Sequence, residues 1–250
     1  MMRRRSTLPQ RHRQAVAAFL PDSLSGLLLW LRADAGLFQD STGATPAVSA
    51  GDVVGLWRDG SGHGNDASQT STAGKPRLDM SVQNGRPALF FQTSRWMDTP
   101  LTDALSDMTV FVVFRDDGSA TSFERLLDKS FSAGFWLGRD HSAANSWGGG
   151  VEDTGGGFGL YTAFADGTSH LMMSMRQGAT HLLAADNAAA VSATVSATAT
   201  DATPLRVGNA VGASAYLGGW IMEILLYSRA LSAGERASVT QWLNARWGLF

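Results

Sequence analysis

The sequence predicts an all-β fold closed by one helix, and three observations predict its strands. Glycine is abundant at 28 residues while proline numbers 7, and most glycines fall between short apolar runs, the pattern of many strands and many turns. Apolar residues make up 44% of the 250 and charged residues 17%, which supplies a sizeable core and excludes a disordered chain. The runs Ala88–Gln92 and Thr109–Arg115 are dense in aromatic and β-branched side chains, which suit a pleated surface. Sandwiches of this length commonly form one domain.

Composition also removes function classes. There is no cysteine, hence no disulfide framework, thiolate nucleophile or cysteine metal site. The longest apolar stretches, such as Gly26–Leu31, fall far short of the roughly 20 residues a membrane span needs. The net charge of −2 hides an asymmetry, since Arg3, Arg4, Arg5, Arg11 and Arg13 carry five positive charges and leave −7 on the remainder. The apolar stretch after them, Ala15–Leu20, is too short for a signal peptide and ends at Pro21–Asp22. Residues 1–25 therefore read as a basic arm, with a short helical candidate at Gln10–Phe19, and residues 26–250 as the sandwich.

Along the body, Leu27–Ala33, Val53–Trp57, Ala88–Gln92, Thr109–Arg115, Arg125–Leu127 and Phe135–Gly138 are strand candidates. His170–Arg176 and Ala179–Ala185 form a hairpin about a Gln177–Gly178 turn, which pairs Met175 with Thr180, Met173 with Leu182 and Leu171 with Ala184. That pairing sends the apolar set to a core and His170, Ser174, Arg176 and His181 to solvent or a ligand. Residues 186–204 suit a plain edge strand with long turns, and Leu205–Gly208 and Trp220–Tyr227 are the last strands. The period then switches. Ser232 with Glu235 makes a capping box, Val239, Trp242, Leu243 and Arg246 share one helical stripe, and Gly248 is a stop signal.

Leu27–Gly36 (LLLWLRADAG), Asp52–Gln69 (DVVGLWRDGSGHGNDASQ) and Arg86–Phe91 (RPALFF) resemble the opening of bacterial and phage laminin-G-like domains of the concanavalin A-like superfamily. Gly219–Leu231 followed by the terminal helix resembles their close. The resemblance covers residues 24–249 and implies two antiparallel sheets in a jelly roll. Members bind carbohydrate or protein surfaces, some with calcium, and others hydrolyse glycans, so fold alone does not choose.

Each chemistry can be tested on the residues. Glycoside hydrolysis needs two carboxylates about 5–9 Å apart, and hydrolytic relatives place acids alternately along one strand. The four glutamates, Glu124, Glu152, Glu223 and Glu235, never take that spacing. Glu223, read as sharing a face with Ile221, Leu225 and Tyr227, is expected to be a structural carboxylate. No Gly-x-Ser-x-Gly elbow occurs, and the five histidines do not cluster. Asp59–Asp66 imitates part of a calcium loop but has Thr70 where glutamate is required, so Asp59, Asn65 and Asp66 are only a weak calcium candidate and the run reads as a turn. Trp147–Gly159 (WGGGVEDTGGGFG) reads as a long glycine loop. With it comes a candidate ligand set: Trp147, Tyr161 and His141 to stack on sugar rings, Glu152 and Asp153 to accept hydroxyl hydrogen bonds. Trp30, Trp57, Trp220 and Trp242 lie on periodic elements and are assigned to the core.

No aromatic residue interleaves the arm's arginines and the body beyond them is acidic, which argues for an assembly anchor over nucleic-acid binding. The expectation is therefore a non-catalytic structural or adhesive subunit of a larger assembly, a phage virion component (head decoration, tail or fibre), oligomeric, with no cofactor. Its outward jelly roll is a candidate for binding glycans. The alternative is a carbohydrate-binding module exported by a bacterium, working outside the cell or at its surface. A glycan hydrolase with an unfamiliar site stands third.

Overall fold

The computed structural model describes residues 19–92, 94–119, 123–130, 134–139, 146–151, 158–165, 167–195 and 202–250, with side chains of 158–161 left aside. A short 3-10 turn at Pro21–Ser23 leads into β1 (Leu27–Arg32), β2 (Leu37–Phe38), β3 (Leu56–Trp57), β4 (Ala67–Ser68), β5 (Arg77–Gln83) and β6 (Arg86–Phe91). There follow β7 (Met97–Asp98), β8 (Met108–Asp116), β9 (Glu124–Asp128), β10 (Phe135–Arg139), β11 (Ser146–Val151) and β12 (Phe158–Ala163). The chain ends with β13 (Ser169–Gln177), β14 (Thr180–Ala185), β15 (Val191–Thr194), β16 (Arg206–Val207), β17 (Gly219–Tyr227) and helix α1 (Ala233–Trp247). One sheet runs β15-β14-β13-β8-β17-β6-β5, with β1 also on β17; the other runs β12-β11-β10-β9-β16-β7-β4-β3-β2. The described pairings are antiparallel, and the fold is the expected two-sheet sandwich of jelly-roll type.

Two cores explain the sequence pattern. Between the sheets lie Leu29, Val112, Phe114 and Ile224 from one side and Leu127, Phe135, Leu137 and Trp147 from the other. The outer face of the eight-stranded sheet is covered by α1, where Trp30, Phe111, Met173 and Tyr227 meet Val239, Leu243 and Trp247. Strand β8 is thus buried on both faces, which is why its sequence is continuously apolar instead of alternating. Phe19 and Leu24 pack on the outer core, and the Tyr227 hydroxyl donates to Pro21 O at 3.1 Å, so residues 19–24 of the predicted arm lie against the sandwich. Arg3, Arg4, Arg5, Arg11 and Arg13, with residues 10–18 of the helical candidate, lie outside the described residues.

Several expectations are corrected. The hairpin register runs Gln177↔Thr180, Met175↔Leu182 and Met173↔Ala184, because the turn is Gly178–Ala179 with Gly178 at φ +52. The shift conserves the faces, but neither face meets solvent. Met173 and Met175 lie under α1, while Ser174 and Arg176 (1% exposed each) and His181 (0%) point between the sheets. Arg176 there donates to the carbonyls of Ser106 and Leu105, and Ser174 Oγ lies 2.8 Å from His181 Nε2. Trp147–Gly159 is not one loop, since β11 and β12 occupy both of its ends. Gly150 is there for space: a Cβ on it would sit 2.2 Å from Trp136 Nε1, so glycine lets the indole lie across the sheet. Strand β5 goes unpredicted because its residues are mostly polar or half-exposed.

Candidate functional site

The terminal helix decides which part of the outer sheet face stays open. Its start is fixed by the capping box, in which Glu235 N donates to Ser232 Oγ and Ser232 N to Glu235 Oε2 (3.3 and 2.8 Å); its end is the left-handed Gly248. Arg229 and these capping bonds hold the Glu235 carboxyl down at about 2. Glu223 clamps the helix to the sheet. Trp30 Nε1 donates to one of its oxygens (2.6 Å), and Trp247 Nε1 and Arg246 Nε to the other (2.7 and 3.0 Å). Burial raises the Glu223 pKa, and those donors offset only part of the rise. Glu223 is the structural carboxylate expected, but Ile221 does not share its face. A β-bulge at Met222 sends Ile221 inward and Met222 under α1.

Under α1 lies the row Ala88, Met222, Val113 and Leu171. One step further along the strands the outer face is less deeply covered, and its Ser169 end is tied to the helix by Gln83, which accepts from Ser169 Oγ (2.9 Å) and donates to Trp247 O (2.9 Å). There Arg77, Phe90, Trp220, Arg115 and Ser169 stand directly opposite one another on β5, β6, β17, β8 and β13, all half-buried. Four strand spacings make this row about 19 Å long. The Phe90 and Trp220 rings stack at 4.9 Å with a 41° tilt; Arg77 lies over Phe90 at 4.9 Å and Arg115 over Trp220 at 5.4 Å. The indole reaches across β6, and its Nε1 donates to Asp79 Oδ2 at 2.9 Å. Asp79 also accepts two bonds from Arg77, at 2.7 and 2.9 Å. Burial pushes the Asp79 pKa up, yet Arg77 and Trp220 together bring it below the usual value. A tilted aromatic pair with guanidinium groups laid over its rings combines apolar surface for the C–H side of a sugar ring with donors for its oxygens.

At the same end of the sandwich, the inner face is closed by charge. The Arg139 guanidinium binds Asp116 and, at 3.3 Å, Glu124, all at most 4% exposed. Asp116 also accepts from Gly167 N, and Glu124 from Gly218 N at 3.4 Å. His170 sits beside them, with Nδ1 2.7 Å from Asp186 and Nε2 3.0 Å from Ala165 O. Burial alone would lower the His170 pKa; these acceptors on both nitrogens raise it instead.

Of the sequence-predicted ligand set, the structure describes the side chain of Trp147 alone. Trp147 is 1% exposed, packed on Phe114 (4.6 Å) and under Arg139 (4.8 Å), because its strand position points between the sheets. Tyr161 is on β12 opposite Gly148, and its side chain lies outside the description; so do His141, Glu152 and Asp153. Asp59, Asn65 and Asp66 form a hydrogen-bonded turn. Asp59 Oδ1 accepts from Trp30 N and Ser61 N, Oδ2 from Ser61 Oγ and Asn65 N, while Asn65 Nδ2 donates to Leu28 O and Asp66 Oδ1 accepts from Asp59 N. Among the described residues, no three His, Asp or Glu side chains converge to hold a metal. Sequence reasoning did not single out Arg77, Phe90 or Arg115, and it assigned Trp220 to the core, against which that residue packs half-buried. The usable signal was that Arg115 ends one apolar strand and Trp220 opens another, which antiparallel pairing brings side by side.

No protein-family model matches the chain, and no curated protein matches it. Solved structures share its fold. The chain is similar to an arabinofuranosidase crystallised with arabinofuranosyl-alpha-1,2-xylobiose (14% identity, TM-score 0.59, 78% of this chain and 51% of that one). It is similar also to the binding domain of botulinum neurotoxin serotype D (10%, TM-score 0.64, 92% and 54%). The binding domain of Paraclostridial mosquitocidal protein 1 is a third (10%, TM-score 0.62, 91% and 53%). The chain spans about half the length of each, and at these identities the likeness is one of fold.

Proposed function

We propose that this chain is a non-catalytic, glycan-binding sandwich that works as the adhesive subunit of a larger assembly. The observation that carries the reading is the Arg77–Phe90–Trp220–Arg115 row left open beyond α1. The absence of catalysis is part of the proposal and is supported by Asp116 and Glu124. These buried acids share one arginine, an arrangement suited to closing the sandwich and not to exchanging protons with a substrate. Arabinofuranosidase, a structure with this fold, was crystallised with an oligosaccharide. The assembly part rests on the five arginines of the arm against a body carrying −7, and the particle it names is a phage virion. A module exported by a bacterium is the second reading, which the open row supports equally.

The test is a glycan array probed with the full chain and with Trp220→Ala. Binding that disappears in the variant although it stays folded, with EDTA without effect on the full chain, is the expected result. A blank array for the full chain, or turnover of any bound glycan, contradicts the proposal.

A further inference from the structure

Resting on that glycan-binding reading, we propose that the open row selects acidic sugars, those bearing a carboxylate or a sulfate. Three guanidinium groups stand at this end of the sheet, Arg77 and Arg115 in the row and Arg95 on the turn that follows β6, where its N–H donates to Gln92 O. Only Arg77 has a carboxylate of its own, taken up bidentately by Asp79. Asp117, at the edge of the row, turns one oxygen to Ser119 N and Oγ. Arg95 and Arg115 have no carboxylate partner among the described residues, and each keeps a buried nitrogen, Nη1 and Nε respectively, without a hydrogen-bond partner. Three cations against two carboxylates leave one positive charge in excess, on a body that is otherwise acidic.

The aromatic pair gives this charge its selectivity. A sugar ring whose C–H face rests against Trp220 and Phe90 brings its acidic substituent to the flanking arginines. There a planar guanidinium matches a carboxylate or sulfate with two parallel hydrogen bonds. Stacked aromatics beside arginine also suit single-stranded nucleic acid. The −7 carried beyond the arm opposes a long polyphosphate while hardly affecting a short acidic sugar, because such repulsion grows with the charge of the ligand.

The experiment titrates the full chain with three oligosaccharides of equal length, one neutral, one of uronate units and one sulfated, and with a single-stranded oligodeoxynucleotide. At least one acidic oligosaccharide should bind about tenfold more tightly than the neutral one, with affinity falling as salt rises. Which of the two acidic probes wins identifies the anion. Arg95→Gln should erase most of that preference while leaving neutral binding in place; Arg115→Gln should erase it and weaken neutral binding as well, and Arg115→Lys should retain part of the preference. If Arg115→Gln fails to fold, Arg95→Gln and Arg115→Lys carry the comparison. Equal affinity for neutral and acidic probes overturns the inference and spares the glycan-binding reading. So does a preference that survives the arginine variants, or an oligodeoxynucleotide that binds as well as the acidic sugars. Failure of every oligosaccharide to bind overturns both.

Discussion

At the residue scale the structure turns on buried polar groups that are satisfied in unlike ways. Glu223 gathers two indole N–H groups and a guanidinium. Replacing it by Ala strands those donors, so Glu223→Ala should cost about 3–5 kcal/mol in urea unfolding, and Glu223→Gln, which keeps an acceptor, clearly less. His181 is the opposite case. Burial first, and then the nearby Arg176 charge, bring its pKa down to about 4 from an ordinary 6.5. The unfolded chain therefore binds a proton that the folded chain refuses. The stability this histidine contributes is whole above pH 6.5 and is lost as the pH falls toward 4, at most about 3 kcal/mol. His170 has the opposite sign, because its raised pKa gives stability that is present at low pH and lost as the pH rises through that value. Comparing unfolding of the wild type with His181→Gln at pH 7 and pH 4.5 isolates the first effect. The gap between the two proteins should shrink at the lower pH, and a constant gap contradicts the assignment.

At the scale of elements, legibility followed range. The terminal helix was legible because its signals are local: Ser232 and Glu235 stand three apart, Gly248 follows at once, and the stripe of Val239 and Leu243 is one turn long. Ser232→Ala should lower stability by about 1 kcal/mol in the same unfolding measurement. The faces of β17 were not legible, because a bulge at Met222 is set by the partner strand and not by the residues themselves. Nor was the hairpin β11–β12, whose glycines look like a loop until Trp136 is placed over Gly150. Gly150→Val should therefore destabilise by about 2–3 kcal/mol through overpacking, where a loop glycine facing solvent would tolerate the change better. The candidate site suffered most. Its members come from five strands scattered from Arg77 to Trp220, and only the pairing register brings them into one row.

At the scale of the whole molecule, two sheets, an outer helix and an open row give a body with one side covered and one end exposed. The proposed function has the arm hold the assembly together. The Tyr227–Pro21 bond and the packing of Phe19 and Leu24 set where it can be cut. A chain starting at residue 19 should unfold like the full chain yet fail to self-associate in light scattering. One starting at residue 23 should also lose stability. If the two shortened chains are equally stable, the role given to Pro21 is wrong.

The central claim is that Trp220 and its neighbours are the glycan-binding surface, and the indole N–H signals test it most directly. Eight tryptophans supply eight signals, and Trp220→Phe identifies the one that matters. On adding an oligosaccharide that the chain binds, the Trp220 signal should move progressively while those of the fully buried Trp57 and Trp147 stay in place. A bound oligosaccharide that leaves the Trp220 signal unmoved would contradict the account.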